Sequence, residues 1–91
     1  MKYTTVMSTK FKKDVKLAEK RGCDISLLKK VITLLADGVL LPEQYKDHAL
    51  KGEYISYREC HIQPDWLLIY RIEKDTLILV LTRTGTHGDL F

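Results

Sequence analysis

The sequence has 91 residues, of which 45% are hydrophobic and 30% charged, and its formal net charge is +3. Such a chain forms one small globular domain, which excludes a multidomain enzyme. No apolar run exceeds five residues, far short of the roughly 20 that cross a bilayer, and no secretory signal core is present, so we expect a cytoplasmic protein.

The first half of the chain predicts a strand and two helices. Residues 3–7 are β-branched or aromatic, as in a short strand. Ser8 can cap a helix running to about Arg21, with apolar residues on one face and lysines on the other. Asp24 can cap a second helix with a leucine-rich stripe that ends at Asp37-Gly38, so the two helices form a hairpin. The residues of the two faces of the first helix are Phe11, Val15 and Ala18 (apolar) and Lys13, Lys16 and Lys20 (basic).

The second half predicts a loop followed by strands. Helical and strand periodicity stop in residues 39–52, which we interpret as a surface loop. Strand-like runs follow at 54–62, 66–73 and 76–84, separated by turn residues, and 85–91 are an irregular tail. The order β-α-α-β-β-β predicts an α+β fold in which the helical hairpin packs on a mostly antiparallel four-stranded sheet.

Turn residues predict a register for the last three strands. Two-residue turns at Lys74-Asp75 and about Gln63-Pro64 would place His61, Trp66 and Arg83 in one transverse row. Both faces of the last two strands are apolar, so the pattern leaves open which face meets the helices.

Further polar side chains converge on this end of the sheet. Asp65 adjoins the row at the turn, and the tail places His87 four residues past Arg83, close enough to fold back. Imidazoles transfer protons near neutral pH, arginine grips phosphate and aromatic rings stack on bases. Metal-free RNA cleavage needs these groups, because the 2′-hydroxyl loses a proton and the leaving 5′-oxygen gains one. No motif for metal catalysis is present.

Charge and cysteine usage add two expectations. Residues 1–30 hold nine Lys or Arg against three Asp or Glu, so the basic patch is N-terminal, and the lysines of the first helix can contact phosphates without reading sequence. Cys23 and Cys60 have neither a CxxC motif nor zinc-ligand spacing, so we expect idle or buried thiols and no cofactor.

Three stretches carry a family resemblance: YKDHALKG at 45–52, YRECHIQPDWLLIY at 57–70 and RTGTHGDLF at 83–91. With KDVKLA at 13–18, they make nearly the whole chain similar to the YafQ-like branch of the RelE/ParE toxin superfamily. The resemblance implies a bacterial toxin of a type II toxin–antitoxin pair that enters the ribosomal A site and cuts messenger RNA at adenine-rich lysine codons. It also implies a small, dimeric, DNA-binding antitoxin whose C-terminal segment wraps the toxin in a heterotetramer.

The same resemblance assigns roles to individual residues. His87 is the implied general acid, Asp65 or His61 the base, and Arg83 the clamp on the scissile phosphate. The implied catalytic residues are His48, His61, Asp65, Arg83 and His87.

The resemblance also covers residues around these groups. Trp66 and Phe91 match positions that shape or complete the active site. Ala49 stands where relatives often have proline, which leaves the loop carrying His48 less rigid.

Two alternative functions remain open on the sequence. A gyrase inhibitor of the ParE type would share the fold without this set of histidines. A plain nucleic-acid-binding module would use only the lysine face of the first helix and would bind in a salt-sensitive way.

Overall fold

The computed structural model describes residues 1–91 as a five-stranded sheet with three helices. The elements are β1 (Thr4–Met7), α1 (Thr9–Lys20), α2 (Ile25–Ala36), β2 (His48–Ala49), β3 (Arg58–Gln63), β4 (Trp66–Glu73), β5 (Ile78–Gly85) and α3 (His87–Leu90). The strand order is β1-β5-β4-β3-β2, with β1 parallel to β5 and all other neighbours antiparallel. The predicted α+β fold is confirmed, and the two-residue strand β2 adds a fifth strand to the four predicted.

The two long helices begin and end where the sequence predicts. The Ser8 side chain accepts a hydrogen bond from the Phe11 backbone N–H, and Asp24 accepts one from Ser26, both at 3.0 Å. These bonds satisfy N–H groups that have no partner within the first helical turn. Gly22 follows α1 with a φ of 82°, a left-handed conformation that favours glycine.

The helices cover one face of the sheet and form the larger part of the core. Apolar side chains of α1 and α2 pack there against alternate residues of β3, β4 and β5. None of the helices combines the length and apolarity needed to cross a bilayer. The most deeply buried members of this core are Phe11, Leu28, Val31, Cys60, Leu68, Tyr70, Leu79 and Leu81.

The hairpin between β3 and β4 turns at Pro64-Asp65, one residue later than predicted. Proline is favoured at the second position of a turn because its φ is already fixed there. As a result His61 pairs with Leu67, and Gln63 pairs with Trp66.

The hairpin between β4 and β5 is longer than the predicted two-residue turn. It comprises Lys74–Thr76 and Leu77, whose φ of 56° closes the turn. The predicted row of His61, Trp66 and Arg83 is therefore wrong, because both turns shift the register on which it depended.

A β-bulge in β5 determines which face carries Arg83. Tyr70 pairs with Leu81, but the preceding residue of β4, Ile69, pairs with Arg83, so Thr82 is the extra residue. An extra residue reverses the faces of the side chains that follow it. Arg83 is thereby aligned with Ile69, which belongs to the face away from the long helices.

That second face carries a smaller apolar cluster under α3. Leu67 and Ile69 of β4 are fully buried there beneath Leu90, so the central strand is covered on both sides. The prediction of an irregular tail is wrong for His87–Leu90, because these residues form a helical turn that folds back over the sheet. The predicted loop at 39–52 also contains a 3₁₀ turn and β2, and the strand predicted at 54–62 begins only at Arg58.

We predict that Ser8→Ala lowers the free energy of unfolding by about 1 to 2 kcal/mol, because Ser8 both caps α1 and donates to the bulged Thr82 carbonyl at 2.7 Å. Urea denaturation measures the change. Thr33→Ala is the control, because the exposed Thr33 hydroxyl bonds only within its helix, and its effect should stay within about 0.5 kcal/mol. Equal losses in the two variants would contradict the double role of Ser8.

Candidate active site

Three histidines form a chain across the sheet face that α3 covers. The ring centroids of His48 and His61 are 6.3 Å apart, and those of His61 and His87 are 5.9 Å apart. The three residues lie on β2, on β3 and at the start of α3. His61 is the most enclosed, with 16% of its side chain exposed, whereas the other two are half exposed.

Glu59 is a buried carboxylate between two of these rings, and the sequence analysis missed it. Its Oε1 lies 3.6 Å from Nε2 of His48 and 3.4 Å from Nε2 of His61. His48 pairs with Glu59 across β2 and β3, and His61 follows two positions along β3. Residues two apart in a strand share a face, so strand alternation was the signal that could have identified Glu59.

Hydrogen bonds of the rings determine which nitrogens are free. Nδ1 of His48 lies 2.7 Å from the carbonyl oxygen of Lys46, and Nδ1 of His61 lies 3.3 Å from that of Pro64. A carbonyl oxygen can only accept, so each Nδ1 carries a hydrogen and each Nε2 is the atom that gains or loses a proton. Both Nε2 atoms therefore face the Glu59 carboxylate.

His87 is paired with a carboxylate of its own. Its Nδ1 and its backbone N–H donate to Oδ1 of Asp65 at 3.1 and 3.2 Å. These bonds, the side-chain bond most strongly, lower the pKa of Asp65. Asp65 stays ionised and orients the ring, which leaves Nε2 of His87 free for proton transfer. We call His48, Glu59, His61, Asp65 and His87 the histidine cluster.

A capping box and a salt bridge fix the short helix that carries His87. The side chains of Thr86 and Asp89 bond each other's backbone N–H groups at 3.1 and 3.0 Å. Arg21, the residue directly after α1, donates to Asp89 at 2.7 Å, and this bond, followed by those from Thr86, lowers the pKa of Asp89 to about 2. Gly85 leaves the necessary room, because a Cβ at that position would lie 3.0 Å from the Asp89 carboxylate.

A second network anchors the segment before His48. The Asp47 carboxylate accepts a hydrogen bond from the Tyr70 hydroxyl and two from the Arg58 guanidinium. Burial, followed by the bond to Asp47, raises the pKa of Tyr70, so the hydroxyl remains a donor. These contacts hold in place the loop that Ala49 was expected to leave less rigid.

Arg83 lies in the same transverse row of the sheet as Glu59, but its side chain is hydrogen-bonded to Asp14 of α1. Glu59, Ile69 and Arg83 pair across β3, β4 and β5. Because β1 pairs with β5 only as far as Leu81, the strand beyond it has an open edge. Asp14 of α1 reaches this edge and accepts two hydrogen bonds from the guanidinium. No hydrogen bond or ring contact joins Arg83 to the histidines.

Trp66 and the basic face of α1 lie apart from the histidine cluster. Trp66 is 5% exposed in the core beneath the helices, and its Nε1 donates to Thr84 at 2.9 Å. Its neighbour Leu67 occupies the histidine face instead, because successive strand residues point to opposite faces. The lysines that are exposed on the solvent side of α1, and hence across the sheet from the cluster, are Lys13, Lys16 and Lys20.

Phe91 gives the cluster an exposed aromatic border. Its ring centroid lies 6.3 Å from that of His87 and 5.7 Å from that of Tyr54, and 62% of the residue is exposed. An exposed ring beside proton-transfer groups can hold an unpaired base by stacking. The predicted site residues that share this surface are His48, His61, Asp65, His87 and Phe91.

The remaining potential ligands and nucleophiles form no second centre. Cys60 is buried, and burial raises its pKa to about 12, so its thiol is protonated and unreactive at neutral pH. Cys23 is half-buried, and both cysteines are free. No group of three or more His, Cys, Asp or Glu side chains is arranged to hold a metal ion.

Comparison with known proteins relates nearly the whole chain to one toxin family. Residues 3–91 match the family model described as a bacterial toxin of a type II toxin-antitoxin system, YafQ. The chain is 48% identical over 85 residues to the mRNA interferase toxin YafQ of Escherichia coli strain K12, which covers 92% of this chain and 90% of that protein.

Solved structures agree with the sequence match. The crystal structure of YafQ from E. coli strain BL21(DE3) superposes with a TM-score of 0.92 at 44% identity and covers 98% of each chain. A chain of the E. coli DinJ-YafQ complex superposes with a TM-score of 0.90, also at 44% identity and 98% coverage of both chains. Fold and sequence therefore point to the same relatives.

Asp89→Asn tests the anchor of α3. Because the folded-state pKa of Asp89 is depressed, its carboxylate stabilises the fold above pH about 4, and this contribution is lost as the pH falls towards about 2. We predict that wild type is more stable than the variant at pH 6 and that the difference shrinks below pH about 4. Urea unfolding at several pH values measures the difference in unfolding free energy between wild type and variant. A difference that does not vary with pH would contradict the assignment of the Arg21–Asp89 salt bridge.

Tyr70→Phe tests the network behind His48. The substitution keeps the buried ring but deprives Asp47 of its neutral donor, so we predict a loss of about 1 kcal/mol in unfolding free energy. Tyr57→Phe is the matched control, because the Tyr57 hydroxyl makes no hydrogen bond within the chain, and it should change stability by less than about 0.5 kcal/mol. If the two variants have the same unfolding free energy, the hydrogen bond from Tyr70 to Asp47 contributes nothing to stability.

Proposed function

The chain belongs to the YafQ family of bacterial toxins from type II toxin–antitoxin systems, and on that premise we propose that it is a ribosome-dependent endoribonuclease that cleaves messenger RNA in the A site. The observation that carries the proposal is the histidine cluster, in which three imidazoles and two carboxylates lie on one surface. The relative from E. coli K12 is named an mRNA interferase, which supplies the class of reaction.

The proposed reaction is attack of a ribose 2′-hydroxyl on the adjacent phosphorus. The 2′-oxygen loses its proton to a base, the bond from phosphorus to the 5′-oxygen breaks, and that oxygen takes a proton from an acid. The products are a 2′,3′-cyclic phosphate and a 5′-hydroxyl. Groups that transfer protons near neutral pH suit both steps, and each contributes about 10² to 10⁴ in rate.

His87 is the proposed general acid. Its Nδ1 is held by Asp65, so the proton given to the leaving oxygen is the one on Nε2. The ionised Asp65 carboxylate stabilises the imidazolium form that must be present before transfer. The half-exposed ring leaves Nε2 accessible to a bound strand.

His61 is the proposed general base, in preference to Asp65. The lowered pKa of Asp65 makes that carboxylate a weak base, and both of its hydrogen bonds go to His87. Nε2 of His61 can take the 2′-proton, and the neighbouring Glu59 then stabilises the resulting cation. His48 shares the same carboxylate and supplies a second imidazole for holding the phosphate.

The other expected site residues act around this centre. Arg83 is the proposed phosphate clamp, since a guanidinium can donate to two phosphate oxygens at once. Phe91 stacks on a base of the message. Trp66 acts indirectly, because it follows Asp65 in the chain and is anchored in the core by its burial and its bond to Thr84. The lysines proposed to contact ribosomal RNA through phosphates are Lys13, Lys16 and Lys20.

The partners follow from the same premise. The cluster is largely open to solvent, so we propose that the ribosome supplies the wall that holds the message in line for attack. We also propose an adenine-rich lysine codon as the preferred substrate. An E. coli relative is described in a complex with DinJ, and we propose that a small, dimeric, DNA-binding antitoxin wraps this chain in the same way.

Cleavage of defined ribosome complexes tests the proposed substrate. The purified protein is added to ribosomes stalled with a lysine AAA codon in the A site, to matched complexes with a codon lacking adenine, and to the free message. We predict cuts within the AAA codon of the ribosome complex, mapped by primer extension, and none on the free message. Equal cleavage of free and ribosome-bound message would contradict the proposal.

Variants of the cluster test the proposed chemistry. We predict that His87→Ala lowers the single-turnover rate about 100-fold or more and abolishes growth arrest on induction. Glu59→Gln should cause a smaller loss of about tenfold, because the imidazoles remain but lose the charge that stabilises their protonated forms. Asp75→Asn, in the exposed turn between β4 and β5, is the control and should cleave like wild type. A fully active His87→Ala protein would contradict the mechanism.

A further inference from the structure

Asp14 is an enclosed carboxylate on α1 that is bonded to the open edge of β5. Its side chain is 12% exposed. Its Oδ2 accepts from Nε of Arg83 at 2.7 Å and from the Thr84 backbone N–H at 3.1 Å, and its Oδ1 accepts from Nη2 of Arg83 at 3.1 Å. These three bonds hold one edge of the guanidinium against the strand.

The opposite edge of the same guanidinium is free. Nη1 of Arg83 makes no hydrogen bond within the chain, and the side chain is 23% exposed. A guanidinium is planar and carries its five donors in fixed directions, so fixing Nε and Nη2 also fixes the direction of Nη1. An arginine held in this way has lost its rotamer freedom before it meets a ligand.

Arg83 also lines a cavity of about 390 Å³. Asp14 lines the same cavity, as does Asp65 of the histidine cluster. Asp65 links this cavity to the proposed general acid, because its carboxylate accepts two hydrogen bonds from His87. Trp66 is also part of the wall of this cavity.

We propose that Asp14 is a positioning residue that holds Arg83 ready to bind the scissile phosphate. The inference rests on the proposed function, which gives that phosphate to Arg83. Asp14 itself does not contact RNA, and it acts by fixing Nε and Nη2 of the guanidinium so that Nη1 is held free for the phosphate. Without Asp14, Arg83 stands at an uncovered strand edge and must be ordered during the reaction, which raises the barrier.

The alternative role for Asp14 is purely structural, as a tie between α1 and β5. It bonds the Thr84 backbone as well as Arg83, so its loss also removes a contact between helix and sheet. A structural tie predicts lower stability with unchanged chemistry in the folded fraction. A positioning role predicts a slower chemical step that depends on the presence of Arg83.

A double-mutant cycle on stalled ribosome complexes separates these roles. Asp14→Asn, Arg83→Ala and the double variant are compared with wild type in single-turnover cleavage, with KM and the thermal midpoint measured for each. Asp24→Asn is the matched control, because it removes the same charge from a helix cap where asparagine serves equally well. We expect Asp14→Asn to lower kcat about tenfold with little change in KM, and to cause no further loss in the Arg83→Ala background.

Each other outcome overturns the inference. If the decreases in cleavage rate caused by the two substitutions add in the double variant, Asp14 acts only on the fold. The same conclusion follows if the slower cleavage of Asp14→Asn is explained by the fraction of that variant that is unfolded. An Arg83→Ala protein as active as wild type would overturn the inference together with the phosphate-binding part of the proposed function. If Asp24→Asn cleaves as slowly as Asp14→Asn, the slower cleavage results from the loss of one negative charge and not from the position of Asp14.

Discussion

Docking of the four-residue helix α3 onto the sheet is the interaction on which the histidine cluster depends. A helix this short has no stability of its own in water. It is held because Leu90 is buried against Leu67 and Ile69, and because Asp89 of its capping box forms a salt bridge with Arg21, directly after α1. Only in this docked position does the ring of His87 lie within 5.9 Å of that of His61. The histidine cluster is therefore assembled by tertiary contacts at the end of the chain.

The two faces of the sheet serve different purposes, and the bulge in β5 links them. The long helices cover one face, where the polar groups of Trp66 and Tyr70 are hydrogen-bonded to Thr84 and Asp47. The bulge brings Arg83 level with Glu59 and Ile69 on the other face. Ser8, the cap of α1, donates a hydrogen bond to the carbonyl of the bulged residue Thr82. The start of a helix on one face of the sheet thus stabilises the backbone that carries Arg83 on the other face.

Local signals in the sequence predicted the helices well. The errors in the strand register, the C-terminal tail and the site residues arise where long-range contacts decide the structure. The caps at Ser8 and Asp24 and the apolar stripes are encoded within a few residues, so both helices were predicted closely. Register depends on turn geometry, and a four-residue turn in place of two moved Trp66 away from Arg83. The short distance along the chain from Arg83 and the family resemblance both placed His87 near the site. Its helix forms only through contacts with the end of α1 and the sheet, which local patterns do not reveal. Glu59 was missed because its role depends on pairing with β2, a two-residue strand inside a predicted loop.

The central claim is that His87 gives the leaving 5′-oxygen its proton, and substitution of that single oxygen tests it most directly. A message is prepared with sulfur in place of the bridging 5′-oxygen at the scissile linkage, because a thiolate leaves without being protonated. The measurement is the single-turnover cleavage rate of the His87→Ala variant on oxygen and sulfur substrates bound to stalled ribosomes. The account predicts that the variant, deficient on the oxygen substrate by about 100-fold or more, approaches the wild-type rate on the sulfur substrate. A variant that stays equally deficient on both substrates would contradict the role of His87 as the acid.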